Sequence, residues 1–375
     1  MKYYIIAGEA SGDLHGSNLI QALKKDDLKA EFRCWGGDLM EDQGAVIVKH
    51  YRDLAFMGFL EVVANLRTIL RNLSFCKQDI LDWKPDAIIL IDYPGFNLRI
   101  AEFGKKAGIK IIYYISPQIW AWKESRINRI KRDVDKMFVI LPFEKEFYHQ
   151  RGMEVEFVGH PLIDAIGNRK WAEDDWEKRN NIPEGKKLIA LLPGSRKQEI
   201  ETMLPIMLSA TENLDQFHFI LAVAPSQPLE LYLEIIGARK DITLIRNQTY
   251  AILSKSSAAL VTSGTATLET ALFGVPEVVC YKGNVLSYWI ARQLVKVKYI
   301  SLVNLVMDQE IVKELIQDEL QPKNLQSELM KLFDRESRQT MLKSFEALKI
   351  KLGGQGASQN TSNLIIKYLS DLSKV

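Results

Sequence analysis

Ser263-Gly264-Thr265, with Glu269 four residues beyond Thr265, is the part of this chain best suited to holding a phosphate. The apolar run Ala258 to Val261 predicts a buried strand and the residues after Thr265 an amphipathic helix, with a second buried strand at Glu277 to Cys280. Glycine and hydroxyl groups then fall where a helix leaves its first N–H groups unpaired and its dipole favours an anion. A diphosphate fits there, with Glu269 within reach of an attached ribose. An ordinary Thr N-cap with a solvated Glu fits the local motif too. Leu191-Leu192-Pro193-Gly194-Ser195-Arg196 repeats the design: a strand runs straight into a helix start, and Arg196 beside Ser195 supplies a fixed cation suited to charge on a departing diphosphate.

Carboxylates mark two further strand ends. Asp92 closes an apolar strand ahead of the rigid turn Tyr93-Pro94-Gly95-Phe96-Asn97, where burial would raise its pKa toward the range useful for proton abstraction. A cap or loop anchor is the alternative role. Gly8-Glu9-Ala10-Ser11-Gly12-Asp13 follows the first strand, so Glu9 and Asp13 are expected at its carboxyl end, Asp13 as a cap of the following helix. The loop lacks the G-x-G-x-x-G spacing of a dinucleotide site. Ser116-Pro117-Gln118-Ile119-Trp120-Ala121-Trp122 sets two indoles beside a proline turn, with Lys123, Arg126, Arg129 and Lys131 close behind. Trp rings with cations suit a sugar or lipid phosphate as well as an interdomain contact. Leu54 to Leu70 places Phe59, Val62, Val63, Leu66, Ile69 and Leu70 on one helical face, yet Phe56, Met57 and Leu60 add more apolar surface than one core stripe needs. It reads as a core helix or as a membrane-touching flap that accepts acyl chains.

The elements that must position these loops alternate β and α along the chain. Strands are predicted at Tyr3 to Ala7, Phe32 to Trp35, Val46 to Val48, Ala87 to Asp92, Lys110 to Ile115, Lys136 to Ile140, Val155 to Val158, Leu188 to Leu192, Phe217 to Val223 and Ile242 to Ile245, besides the two already named. The first helix is expected over Leu14 to Lys24 and the last over about Gln359 to Leu372. Such alternation implies α/β architecture with mostly parallel sheets covered on both faces. A polar stretch from Gly159 to Lys187 interrupts it, and 375 residues suffice for two cores. The expected division is 1–165, 166–345 and a helical tail 346–375 packing on an N-terminal domain. Two doubly wound domains so joined leave a cleft between the carboxyl ends of their strands.

Composition narrows the function classes. Charged residues are 26% and apolar ones 47%, and 49 basic against 47 acidic residues give a net charge of +2, too balanced for nucleic-acid binding by bulk electrostatics. Cys34, Cys76 and Cys280 are odd in number and far apart, which argues against a disulfide framework. His15, His50, His149, His160 and His218 are scattered, so no metal site is expected; His160, in Gly-His-Pro-Leu, reads as a hinge or core hydrogen-bonding residue. The opening Met1-Lys2-Tyr3 runs directly into a strand, and no apolar run approaches the length of a membrane span, so neither a leader nor a spanning helix is expected.

In order along residues 3 to about 320, GEASGD, IDYPGFN, SPQIWAW, LPFEKEFY, GHPLID, LLPGSR, SGTATLE and YISLVNL resemble the lipid-A-disaccharide synthase family. The resemblance implies a GT-B glycosyltransferase, with two Rossmann-like domains facing across a cleft. Such an enzyme joins UDP-2,3-diacylglucosamine to 2,3-diacylglucosamine 1-phosphate as a β-1,6 disaccharide with release of UDP, by inversion and without a metal or other cofactor. It implies a peripheral enzyme at the inner face of the cytoplasmic membrane; a homodimer is one open oligomeric state. By the same resemblance Asp92 is the base for the acceptor 6-hydroxyl and Glu9 a second carboxylate near the acceptor. Arg196 and Asn304 serve the donor, Gly264 and Thr265 face its diphosphate, and Glu269 its ribose. Ser11, Asp13, Asn97, Ser116, Trp120, Trp122, Ser195 and Ser263 complete the expected substrate contacts. Phe56, Met57, Phe59, Leu60, Val63 and Leu66 are the expected acyl and membrane contacts. Many relatives carry a second Asp where this chain has Gly95, which leaves Asp92 alone in that turn. Rival readings are a UDP-GlcNAc 2-epimerase, a lipid-linked N-acetylglucosaminyl transferase, or a noncatalytic nucleotide-sugar or lipid-binding protein. The GEASGD and SPQIWAW loops do not resemble those of the two enzymes.

Overall fold

The computed structural model describes residues 1–54, 66–167, 170–283 and 298–372. Among the described residues thirteen strands fall into two sheets, and the chain divides into two units, Met1–Ala165 with Leu352–Val375, and Ile166–Lys351.

In the first unit seven strands lie in the order β3-β2-β1-β4-β5-β6-β7. They are β1 (Lys2–Ala7), β2 (Glu31–Gly36), β3 (Val46–His50), β4 (Ala87–Ile91), β5 (Lys110–Tyr114), β6 (Lys136–Val139) and β7 (Glu156–Phe157). Every pairing is parallel. Central strands of such a sheet are covered on both faces, which is why Tyr3 to Ala7 and Ala87 to Ile91 are unbroken apolar runs and fully buried. The first helix begins at Ala10, earlier than the periodicity from Leu14 predicts, with Glu9 as its N-cap residue. Gly12 and Gly16 lie inside it and let it approach the sheet and the helix Asp38–Asp42 closely: a Cβ on Gly12 would stand 3.0 Å from the Ala7 Cβ, and one on Gly16 2.9 Å from the Met40 sulfur and 3.3 Å from Ile91 Cδ1. The last helix, Ala357–Leu372, packs against this first one, and both Gln359 Nε2 (2.6 Å) and Ser362 Oγ (3.0 Å) donate to Asp26. His160 is buried in the same unit; its backbone N–H donates to the Leu352 carbonyl at 2.9 Å, and burial pushes its ring pKa down to about 3.

The second unit repeats the plan with six parallel strands in the order β10-β9-β8-β11-β12-β13. These are β8 (Lys187–Leu192), β9 (Phe217–Val223), β10 (Ile242–Arg246), β11 (Ala258–Thr262), β12 (Glu277–Tyr281) and β13 (Lys313–Ile316). β13 is an edge strand whose sequence, Lys-Glu-Leu-Ile, carries no apolar run, and it lies outside the predicted set.

Both orders reverse direction once, between β1 and β4 and between β8 and β11. Ligands of open α/β sheets bind beyond the carboxyl ends of strands at such a reversal. The four loops that leave those strands are Gly8-Glu9, Asp92-Tyr93, Pro193 to Arg196 and Ser263 to Thr265, all singled out by chemistry; the indole loop, also singled out, leaves β5.

Candidate active site

At the reversal of the first unit the backbone is bent tightly after β4. Asp92 and Tyr93 both have positive φ, 42° and 46°, and Pro94 then starts the helix Pro94–Lys106. Two consecutive left-handed non-glycine residues are costly and persist only where neighbours enforce them. Here the Asp92 N–H donates to the Ile115 carbonyl (3.2 Å), and the Asp92 carbonyl accepts from the Tyr113 hydroxyl (2.6 Å) and from Asn97 Nδ2 (2.8 Å). Asn97 is wholly buried and also donates to the Ile91 carbonyl at 3.1 Å, so it ties the turn together from within. Gly8 has no Cβ because the Tyr93 ring lies where one would be, 2.4 Å away.

With its backbone so engaged, Asp92 turns a partly buried carboxyl toward Glu9. Burial first, and repulsion by Glu9 second, push its pKa up to about 7, against the Tyr93 N–H and Arg126, which favour the charged form. Gly8, Glu9, Ser11, Gly12, Asp92 and Tyr93 line one small hollow. The structure thus joins Glu9, Asp92 and Ser11. It places Asp13 elsewhere: that carboxylate is 2% exposed and accepts from the N–H groups of Gly37 (2.8 Å), Leu39 (3.1 Å) and Met40 (3.1 Å). Asp13 therefore caps the neighbouring helix Asp38–Asp42 and not its own, since the earlier start of the first helix carries it one turn inside.

The indole loop after β5 is anchored by residues that motif reading did not assign. Ser116 is buried, 2.6 Å from the Tyr148 hydroxyl, and Trp120 Nε1 donates to Glu144 at 3.2 Å. Glu144 also accepts the N–H groups of Ile140 (3.2 Å) and Leu141 (2.9 Å), and burial pushes its pKa up to about 7. Trp122 is exposed, with Lys123 Nζ 4.4 Å and Arg126 Cζ 5.3 Å from its ring centre. The signal for Glu144 and Tyr148 lay in LPFEKEFY, where both follow a strand end on one helix face.

At the reversal of the second unit the two helix starts differ. Ahead of the helix Lys197–Ala210, Glu199 folds back and accepts the N–H groups of Ser195 (3.1 Å) and Arg196 (3.2 Å), while Arg196 Nη1 donates to its other oxygen at 3.3 Å. Gly194, at φ 109°, makes room, since a Cβ there would stand 2.6 Å from the Glu199 carboxylate. The expected anion-ready start at Ser195-Arg196 therefore already holds a carboxylate. Ahead of the helix Thr265–Leu272, Gly264 is an N-cap residue without a side-chain cap; Gly264 and Thr265 are exposed, and a Cβ on Gly264 would meet open space.

Glu269, one turn along, accepts from the Tyr250 hydroxyl at 2.8 Å, and burial raises its pKa. Tyr250 in turn packs against Trp171 and Phe273, ring centres 4.9 and 5.3 Å apart, which gives the carboxylate an aromatic wall. Asn304, expected on the donor side, lies on the helix Leu302–Met307 with a wholly buried side chain spent on Ile311, Val312 and Glu314.

Phe56, Met57, Phe59, Leu60 and Val63 lie outside the described residues, and Leu66 opens the helix Leu66–Trp83. Among the described residues no helix is long and apolar enough to cross a membrane, and no three His, Cys, Asp or Glu side chains are grouped as metal ligands.

Against solved structures, the chain is similar to the UDP-GlcNAc 2-epimerase of Neisseria meningitidis bound to UDP-GlcNAc. The TM-score is 0.67 at 15% identity, over 99% of this chain and 100% of that one. It is also similar to a glycosyltransferase from Rickettsia africae, with a TM-score of 0.59 at 10% identity over 98% of each chain. Those likenesses establish the fold, two Rossmann-like units of the GT-B class. The lipid-A-disaccharide synthase of Syntrophus aciditrophicus is 41% identical over 373 residues, 97% of each protein. With residues 3–368 also matching the family described as Lipid-A-disaccharide synthetase, the chain belongs to that family.

Proposed function

We propose that the protein transfers the 2,3-diacylglucosamine group of its UDP conjugate to the 6-hydroxyl of 2,3-diacylglucosamine 1-phosphate, with Asp92 as the base. The observation that carries the residue assignment is the Asp92 carboxyl, held at a topological switch point beside Glu9 with a pKa near 7. A base of that strength accepts the acceptor's hydroxyl proton while its oxygen attacks the anomeric carbon from the face opposite UDP. One displacement inverts an α-linked donor to a β-1,6 disaccharide. Glu9 shares the hollow and holds the acceptor.

On the donor side, the N–H groups at the helix start after Gly264 take the diphosphate, Thr265 adds a hydroxyl, Ser263 holds the turn through its bond to the Ile300 carbonyl, and Glu269 with Tyr250 faces the ribose. Arg196 beside Ser195 meets the charge on the leaving UDP. Trp120 and Trp122, with Lys123 and Arg126, line the approach of a lipid phosphate. The segment 54–70 contacts acyl chains at the inner face of the cytoplasmic membrane, a peripheral association.

The test is incubation of purified protein with UDP-2,3-diacylglucosamine, with and without the acceptor, in detergent and EDTA, followed by mass spectrometry. Disaccharide formed only with acceptor establishes the transfer. UDP released without disaccharide would replace it with hydrolysis or another acceptor.

A further inference from the structure

Glu314 sits on the edge strand β13, opposite Val279 of β12, and is 7% exposed. A buried carboxylate is tolerated when donors surround it, and this one has four. One oxygen accepts from the Ser301 N–H (2.9 Å), the Ser301 hydroxyl (2.7 Å) and Asn304 Nδ2 (2.9 Å); the other accepts from the Ile300 N–H (3.0 Å). Asn304 spends its remaining capacity on the Val312 carbonyl (2.8 Å) and on the N–H groups of Ile311 (2.7 Å) and Val312 (3.0 Å). Ser301 and Asn304 are both fully buried. The carbonyl of Ile300 accepts the Ser263 hydroxyl at 3.1 Å, and the Ser263 N–H donates to the Cys280 carbonyl at 2.9 Å. Ile300 is therefore a single-residue relay, its N–H on Glu314 and its carbonyl on the residue before Gly264.

We propose that Glu314 is a positioning residue for the diphosphate-binding helix start, holding Ser263 through Ile300, and that Asn304 acts through the same tie without touching the donor. This rests on the donor site proposed at Gly264 and Thr265.

Glu314→Gln tests it with little change of shape. The amide oxygen can keep the Ser301 and Asn304 bonds, but its NH2 then opposes the Ile300 N–H, donor against donor, at the relay residue. UDP affinity by calorimetry and the donor KM should each weaken about 10-fold, with kcat and acceptor KM within about twofold, the split expected when a donor-binding element is displaced. Ser263→Ala should weaken UDP binding in the same direction, and the double variant should be no worse than the weaker single one, because both cut one connection. Unchanged UDP affinity in folded Glu314→Gln, or additive losses in the double variant, would overturn the proposal. Should Glu314→Gln fail to fold, wild-type UDP affinity in Ser263→Ala overturns it equally. Wild-type protein that does not bind UDP would instead remove the donor site itself.

Discussion

The two sheet reversals share a topology and differ in what they do with backbone polar groups. In the first unit the turn after β4 satisfies its own backbone: Tyr113, Asn97 and Ile115 take up the groups of Asp92, and what is left facing the hollow is carboxyl chemistry. In the second unit the turn after β11 leaves the start of the helix Thr265–Leu272 without a side-chain cap, and what faces outward is the exposed pair Gly264 and Thr265, ahead of a Thr267 N–H that donates to the Gly264 carbonyl. A strand end with its backbone closed off can tune an acid by burial and a like charge, whereas one with its backbone open can hold an anion. One plan, duplicated, thus carries the proposed proton-transfer site in one copy and the proposed phosphate site in the other.

The sharpest way to break this contrast is Asp92→Asn. Turnover should fall about 10²-fold or more, the usual scale for a positioned base, while UDP affinity stays at the wild-type value. Wild-type turnover should rise with pH through about 7, since Asp92 acts only when ionised. The linkage runs the other way for stability: a carboxyl whose folded pKa lies above its unfolded value stabilises below the unfolded pKa, and that contribution is lost as pH rises through the folded one. At pH 8 Asp92→Asn should therefore melt no lower than wild type. A variant that loses activity by losing its fold would show a lowered Tm, and the base assignment would go with it.

The complementary change in the second unit is Gly264→Val. Gly264 is in extended backbone with open space around its Cα, so the substitution folds without strain but hangs a branched side chain over the free N–H groups. UDP affinity should drop about 10-fold, with Tm unchanged and the acid limb of the rate profile still near pH 7. Unchanged affinity would send the diphosphate elsewhere.

What the sequence made legible follows the same division. Strands buried on both faces announce themselves as apolar runs, so β1, β4, β8, β9 and β11 could be read directly, and the loops after them carried Glu9, Asp92, Arg196 and Gly264. Edge strand β13 gave no such signal, and with it Glu314 stayed hidden. Partnering was equally unreadable: Asp13, Asn97, Ser116 and Asn304 have the residue types of ligands, but the hydrogen bonds their side chains make are to neighbours inside the protein, and spacing alone says nothing about which neighbour gets there first. Tyr250 and Glu144 were missed for the converse reason. Each acts on a named residue from an element distant in sequence, Tyr250 on Glu269 and Glu144 on Trp120.

Within each unit, single residues set smaller effects. Glu9 is the second contributor to the raised Asp92 pKa, after burial. Glu9→Gln should move the acid limb to lower pH, toward the value burial alone would give, and lower turnover at pH 8 several-fold through weaker acceptor binding. An acid limb that does not move would show that the two carboxyls do not sense each other.

The smallest expected effect concerns the second helix start, which separates open from closed within one unit. Glu199 occupies the N–H groups of Ser195 and Arg196, so its cap is a resident anion in place of a bound one. Glu199→Ala should cost about 1 kcal/mol of stability, the ordinary worth of such a cap. Inorganic phosphate should then raise the Tm of Glu199→Ala by more than it raises that of the wild type, because a second helix start has become available to it. If the variant is as stable as wild type and responds to phosphate to the same extent, Glu199 is not what closes that end. The backbone N–H groups of Ser195 and Arg196, and not only the Arg196 side chain, would then be open to the leaving diphosphate.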